Sequence, residues 1–487
     1  MERAERSELR RLLRGVRHFL FGSADPHSRR TRRLPPRGGP GLGVTAGARL
    51  AAPGAHLSGR LPRRPLAPRR TRPRSVAAAS RRPERADAGF GLRHAIRTQG
   101  HAGAGCAGSH HPRAHKRQYR GCLMEASFIE PADPRWDAAL EALPHDVYHL
   151  PAYTALAASQ EGGTPAAILA TEDDWAALLP LILRPLPAEL DAPDSWIDAV
   201  SPYGYPGPVA TAPISSSVVA RFMDAAIAAC AARGIISLFI RLHPLLGIPP
   251  GDLSNHGTLV EHGRTVYIDL RPGINALTAQ TRKSHRYEIR ALHRSGFSAA
   301  IDDWSLYLAF VDIYLETMQR LAASDQYLFS LDYFRGLRAA LGDRLHLCVA
   351  LAPGGRPAAA GLFSECGGLV QYLFSGTADE FRQLAPTKLV LSTMIDWACR
   401  QGSRAFHLGG GLGGQEDSLF RFKAGFSDLR SDFSSLRVVV DRSRYATVTE
   451  RWRLLREPSA EGKAGFFPIY RSPGSQPSPP AQQRDAS

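Results

Sequence analysis

One lysine stands out by its neighbours. Lys423 lies in "DSLFRFKAGF" (417–426), nine residues beyond Gly409–Gly414, where five of six residues are glycine. Phe422 precedes the lysine and Phe426 follows. A lysine stem can lie on such rings while its ammonium reaches a polar site. A cation placed there could stabilise an oxyanion or a phosphate during group transfer. A surface lysine that merely packs its stem would look the same, so both readings are open.

The glycines do not fit the known phosphate loops. A Walker loop needs Gly-Lys-Ser/Thr after a strand, and "HLGGGLGGQEDS" has no Gly-Lys. A dinucleotide fingerprint opens a long helix, whereas here only a short segment and a further turn follow. What remains is a glycine bulge, with Gly410 and Gly411 in it, that lets a ligand or another chain approach the backbone. A loop with no ligand is the alternative.

Two further stretches could bind substrate. "SPYGYPGP" (201–208) is a rigid turn that displays Tyr203 and Tyr205. Tyrosine offers a flat apolar face and a hydroxyl, which suits a sugar or peptide groove. A structural turn between strands is the plainer reading. "ALTAQTRKSHRYEIRALHRSG" (276–296) reads as one basic helix. Its Arg282, Arg286, Arg290 and Arg294 recur every four residues and so share a face. Four arginines in a row invite a phosphate or pyrophosphate, or else a solvated face.

These groups must be positioned by the chain around them, and its charge is uneven. The chain has 61 Lys+Arg and 45 Asp+Glu, a formal net charge of +16. Residues 1–123 hold 28 of the basic and 6 of the acidic residues, which leaves 33 and 39 for residues 124–487. The foldable part is mildly acidic, so overall basicity is no argument for nucleic acid. Residues 1–123 are Arg/Pro/Gly-rich and expected to be disordered. Three readings are open for them: a basic arm for nucleic acid or acidic lipid, a targeting peptide, or an over-extended start in a GC-rich gene. On the last reading the protein begins at Met124.

No run of 18 apolar residues exists to span a membrane. The six cysteines form no CxxC pair and read as free thiols of a reducing compartment. There is no Gly-x-Ser-x-Gly elbow, HExxH or EF-hand loop, so no metal and no covalent nucleophile is expected.

From 124 onward, strand and helix patterns alternate. Strands are expected at 165–185 (a pair about a turn at 172–174), 235–246, 264–270, 345–376 (three) and 404–410. Helices are expected at 216–234, 276–296, 304–322, 331–342 and 386–402. Hairpin, helix, strand and loop thus occur twice, without shared sequence. The fold class is α/β (α+β): two similar halves, each a mixed, mostly antiparallel sheet flanked by helices.

The order of "SPYGYPGP", "TRKSHRYEIRALHRSGF", "YLETMQRLAASDQYLF", "LAPTKLVLSTMIDWACRQGSRAFHLGGG" and "DSLFRFKAGF" resembles that of FemAB-like acyltransferases, tandem proteins of the GNAT (acetyltransferase) superfamily. The resemblance covers about residues 124–440. It implies an N-terminal GNAT-like half at 124–262, a C-terminal acyltransferase half at 263–445 and a partly disordered tail at 446–487. It implies transfer of an aminoacyl or acetyl group to an amine of a cell-envelope or exopolysaccharide precursor. Lys423 would lie at the transfer site. Arg282 and Arg286 would meet acceptor phosphates. Tyr203, Tyr205, Gly410, Gly411 and Phe422 would line the groove. No cofactor is held permanently; the donor is aminoacyl-tRNA or acyl-CoA, and charged tRNA is the only nucleic acid implied. The acceptor is a phosphate-bearing or lipid-linked glycan, met in the cytoplasm or at the inner face of the membrane. The contrasting expectation is a catalytically inactive module that binds such a precursor.

Two departures bear on the donor. CoA-dependent members grip pyrophosphate with a Gly-containing turn at a helix start; here that position reads "RQLAPTKL" (382–389), without glycine. No long coiled-coil arm interrupts the chain, unlike several tRNA-using relatives. No base is evident, although Glu416 and Asp417 are close in sequence.

Overall fold

The computed structural model describes residues 124–323, 327–455 and 465–472. The expectations for residues 1–123 and for most of the tail lie outside the described residues. All described residues belong to one compact unit.

The first stretch runs β1 (Glu125–Ile129), α1 (Pro134–Ala142), α2 (Pro151–Glu161), β2 (Thr164–Glu172), β3 (Trp175–Pro185), β4 (Ile197–Val200), β5 (Val209–Ala210), α3 (Ser216–Ala232), β6 (Ile235–Arg241) and α4 (Pro250–Leu253). Then come β7 (Thr258–Asp269), α5 (Ile274–Gln280), α6 (Lys283–Arg294), β8 (Ser298–Ile301), α7 (Tyr307–Arg320), α8 (Leu331–Leu341), β9 (Leu345–Leu351), β10 (Pro357–Cys366) and β11 (Leu369–Thr377). The chain continues through α9 (Thr387–Arg400), β12 (Ala405–Gly409), α10 (Ser418–Lys423), β13 (Arg430–Val439) and α11 (Arg442–Leu454).

Helix α3 shows how the local sequence acts. Ser215 accepts the Val218 amide and caps its start. Val218, Val219, Phe222, Met223, Ala226 and Cys230 form its buried stripe against the sheet. Each larger apolar side chain in such a stripe contributes roughly 1.5–3 kcal/mol of transfer free energy. Gly234 follows at φ +78°, where the chain turns into β6.

The strands form one mixed sheet of 13, in the order β1-β2-β3-β4-β6-β13-β7-β12-β11-β10-β9-β8, with β5 on β3. Only β4·β6 and β11·β12 pair in parallel among the described residues. Each parallel pair is bridged in sequence by one helix, α3 or α9, so the expected twofold architecture is present. The join is an exchange. β7 follows β6 in the chain but pairs with β12; β13 follows β12 but pairs with β6 and with β7. The expected boundary at 262/263 falls inside β7. Three large apolar clusters and two smaller ones fill the faces among the described residues. One mixes residues of both halves, including Trp136, Val147, Tyr153, Phe310, Phe334 and Leu362.

The structure corrects several local expectations. The basic helix is two helices, α5 and α6, because Thr281 and Arg282 take extended ψ angles of 133° and 137°. That break frees the Arg282 amide to donate to the Gly425 carbonyl at 2.7 Å. β13 has no counterpart in the sequence reading. Residues 446–454 continue a helix rather than a tail, and its Val448 and Trp452 pack with Leu190, Ile236 and Tyr470. Cys230, Cys348 and Cys366 are buried free thiols, and Cys399 is partly buried. Among the described residues no helix is long and apolar enough to cross a membrane.

Candidate active site

The glycine run begins as a bulge. Between His407 and Gly409 the pairing of β12 with β7 slips by a residue. Gly409 sits at φ +77°, in the region that disfavours a side chain. A Cβ there would lie 3.3 Å from the Lys423 ammonium and 3.7 Å from the Tyr205 hydroxyl. The bulge therefore clears space beside both groups. Past it, the loop lies against β7 so closely that a Cβ on Gly414 would overlap the His262 carbonyl at 1.7 Å. Gly411 is equally constrained, by Gln415 and Asp417. The glycines thus serve a close backbone approach, and the chain they admit is the protein's own β7.

Lys423 ends α10 and is 8% exposed. Its Nζ donates to the Gly410 carbonyl at 2.7 Å. It lies 5.7 Å from the centre of the Tyr372 ring. No carboxylate lies within ion-pair distance of it among the described residues. Burial pulls its pKa down to about 8, against a weaker upward pull from Asp417. A buried cation without an anion is costly, and such groups concentrate at functional sites.

The frame around the ammonium differs from the expected one. Phe422 packs on His285 and Phe426 instead. His285 Nε2 donates to the Phe422 carbonyl, 3.0 Å away. Its ring lies where a Cβ on Gly425 would be. The rings near the charge are Tyr372, from β11, and Tyr205, from the proline-glycine turn.

The other anticipated residues are distributed as follows. Tyr205 is half-buried, edge-on to His407 at 5.0 Å, Phe433 at 5.1 Å and Tyr148 at 5.7 Å. Burial holds its hydroxyl protonated well beyond its ordinary range. Tyr203 is 51% exposed, and the Arg241 guanidinium lies over its ring at 6.0 Å. Arg286 is turned back onto the Thr278 and Ala279 carbonyls at the end of α5. Arg282 reaches the Arg421 carbonyl at 3.4 Å. The basic helix is tied to the Lys423 turn by backbone bonds, yet neither arginine contacts Lys423. Glu288 pairs with Lys388 of α9.

Neither acid near the lysine is free to act as a base. Asp417 caps α10, accepting from Phe420 N at 2.8 Å and Leu412 N at 3.1 Å. Those amides outweigh its partial burial and hold its carboxyl below the usual range. Glu416 pairs with Arg264.

A group that the sequence reading passed over lies beneath the bulge: Asp146, His243, Gln371 and His407, all buried. They come from four separate segments. The available signal was local. His407 interrupts the apolar "AFHLG" strand, whose flanking Phe406 and Leu408 are fully buried.

Comparison with known proteins agrees with this architecture. Residues 279–423 match the model of the acetyltransferase (GNAT) domain. The fold is similar to the crystal structure of FemX, with a TM-score of 0.50 and 15% identity over 64% of this chain and 96% of that one. More distant likeness extends to L-PGS from Bacillus licheniformis (13% identity, 67% and 98% covered, TM-score 0.42). It extends also to a tandem GNAT protein of the clavulanic acid pathway (13%, 64% and 98%, TM-score 0.36). No protein of curated function matches.

Proposed function

We propose that this chain, an N-acyltransferase with a GNAT domain and a FemAB-like fold, moves an aminoacyl or acetyl group onto an amine of a cell-envelope or exopolysaccharide precursor. The observation that carries the reading is the Lys423 ammonium: buried, without a carboxylate partner among the described residues, beside the gap that Gly409 leaves. One of its three N–H bonds is committed to the Gly410 carbonyl. The others remain for substrate. The acceptor amine attacks the acyl carbonyl directly. Binding both substrates supplies proximity, and Lys423 stabilises the negative charge on the tetrahedral oxygen. A pKa of about 8 leaves the ammonium mostly charged at pH 7.

The acyl donor is acyl-CoA or aminoacyl-tRNA, bound as a substrate. The first turn of α9 supports a grip unlike the usual pyrophosphate turn. Ala385 stands at φ +51°, and the Lys388 and Leu389 amides already donate to the Ala385 and Pro386 carbonyls. The acceptor is a phosphate-bearing or lipid-linked glycan. Tyr203 supplies an exposed aromatic face for a sugar, and Arg290 and Arg294 on α6 are exposed for phosphate. Equilibrium binding of acetyl-CoA and of mixed aminoacyl-tRNA to the full chain tests the reading. Saturable binding of acetyl-CoA makes the protein a CoA-dependent N-acetyltransferase. Preference for charged over uncharged tRNA makes it an aminoacyl transferase. Binding of neither overturns transfer and leaves a precursor-binding module.

A further inference from the structure

Transfer to an amine releases a proton, and none of the residues assigned so far takes it. The buried file beneath the bulge has the directionality to do so. Asp146 is fully buried, and its carboxylate accepts from the Val147 amide at 2.6 Å, His243 Nε2 at 3.0 Å and Gln371 Nε2 at 2.6 Å. A carboxylate only accepts, so Gln371 must present its NH₂ to Asp146 and its carbonyl to the other side. On that side lies His407 Nδ1, 2.8 Å from Oε1. His407 is therefore protonated at Nδ1, and its Nε2 carries a lone pair. That Nε2 is buried and has no hydrogen-bond partner among the described residues.

Its neighbouring histidines differ. His243 Nδ1 accepts the Leu245 and Leu246 amides, both at 3.0 Å, so both its nitrogens are used. His149 accepts the Asp146 amide at 3.1 Å and meets the Gly207 carbonyl at 2.9 Å. Only His407 keeps a free ring nitrogen within this trio. It stands two residues before Gly409, beneath Tyr205, with Lys423 Nζ and the Tyr205 hydroxyl both within 4 Å of the Gly409 Cβ position.

We infer that His407 Nε2 is the proton acceptor of the transfer, oriented by Gln371 and Asp146. The inference rests on the acyl-transfer reading above. The amine nitrogen attacks the acyl carbon and forms the C–N bond. Its surplus proton passes to Nε2, directly or through a water held there. The tetrahedral centre then collapses and the C–S bond of a thioester, or the C–O bond of an aminoacyl ester, breaks. The imidazolium returns its proton to the leaving sulfur or oxygen, so the cycle needs no further reactant. Asp146 reaches the ring through Gln371, and His243, beyond β6, acts on it electrostatically. Gln371 faces it from β11 and Tyr205 from its turn, and the Lys423 charge of α10 acts on it. Burial first, then His243 and Lys423, hold its pKa well below 6.5. The ring is thus in its base form at neutral pH, and its imidazolium is a strong acid.

His407→Asn separates this from a packing role, because its amide can still donate to Gln371 while the base is lost. The full chain is assayed with acetyl-CoA and charged tRNA as donors and glucosamine as acceptor, from pH 6 to 9. The variant is expected to melt with the native chain and lose about 10²–10⁴-fold in rate at pH 7. The deficit should narrow as pH rises and solution deprotonates the amine. Equal rates, or a deficit independent of pH, overturn the inference while the transfer reading stands. A native chain that binds neither donor overturns the transfer reading itself. Histidine ¹⁵N NMR of the donor-bound chain decides independently of turnover: Nδ1–H with a bare Nε2 is expected, and a proton fixed on Nε2 overturns the assignment.

Discussion

The two halves end their parallel strand pairs differently. After α3, β6 runs on to His243 in the first half. After α9, β12 carries His407 in the second. Both rings are buried and both join the Asp146 file. His243 is satisfied on both nitrogens and is followed by a proline, Pro244. His407 is satisfied on one and is followed by the glycine bulge and a buried lysine. The first half has closed its end with hydrogen bonds. The second has left a base, a cation and a gap. Costly, unsatisfied groups fall in the half proposed to do the chemistry, and the satisfied half braces it.

The strand exchange makes that bracing mutual, and breaking it has the largest expected effect. A chain that stops at Asp428 lacks β13, so β6 and β7 both lose a partner. It is expected to lose the cooperative thermal transition in circular dichroism. A normal melt would mean that each half closes its own sheet.

Acid comes next. His149 is fully buried, and burial, with His243 beside it, lowers its pKa to about 4. Below pH 6.5 the unfolded chain binds a proton that the folded chain does not. Stability is thus present above about 6.5 and lost as pH falls towards 4. At 1.36 kcal/mol per unit the loss is roughly 3 kcal/mol from this ring. His407 acts in the same sense. Urea midpoints at pH 7.5 and 4.5 measure the loss, and His149→Gln should reduce it.

The smallest effect separates the two histidines directly. His243→Leu removes a donor from a buried carboxylate and an acceptor from two amides, costing about 1–3 kcal/mol or more. His407→Asn should cost less than that. The reverse order in urea unfolding would reverse the roles assigned to the two halves.

Much of this was legible in the sequence wherever the signal is local. The β2–β3 hairpin, α3, the β9–β11 meander and α9 follow from periodicity and stop signals. Lys423 and its burial next to aromatic rings follow from its motif, while its role is a proposal. What escaped was non-local. Nothing near residues 430–439 reveals that β13 separates β6 from β7. The break at Thr281–Arg282 is matched by Gly425, far along the chain, which accepts the freed Arg282 amide. The aromatic frame was assigned to Phe422 by adjacency, whereas folding brings Tyr372 and Tyr205 to the charge. The Asp146–Gln371–His407 file joins residues 225 and 36 positions apart, and no spacing rule finds it.

Lys423→Met separates a transfer lysine from a structural one, with melting temperature and transfer rate measured on the same preparation. The folded lysine has a pKa below its unfolded value, so its charge destabilises the fold below pH 8, a penalty relieved as pH rises from about 8 to 10.5. Methionine removes that penalty of roughly 3 kcal/mol and keeps the stem's packing. The account predicts a melting temperature at pH 7 equal to or above the native value, with transfer reduced about 10²–10³-fold. A variant that melts lower and still transfers would make Lys423 a structural lysine and contradict the account.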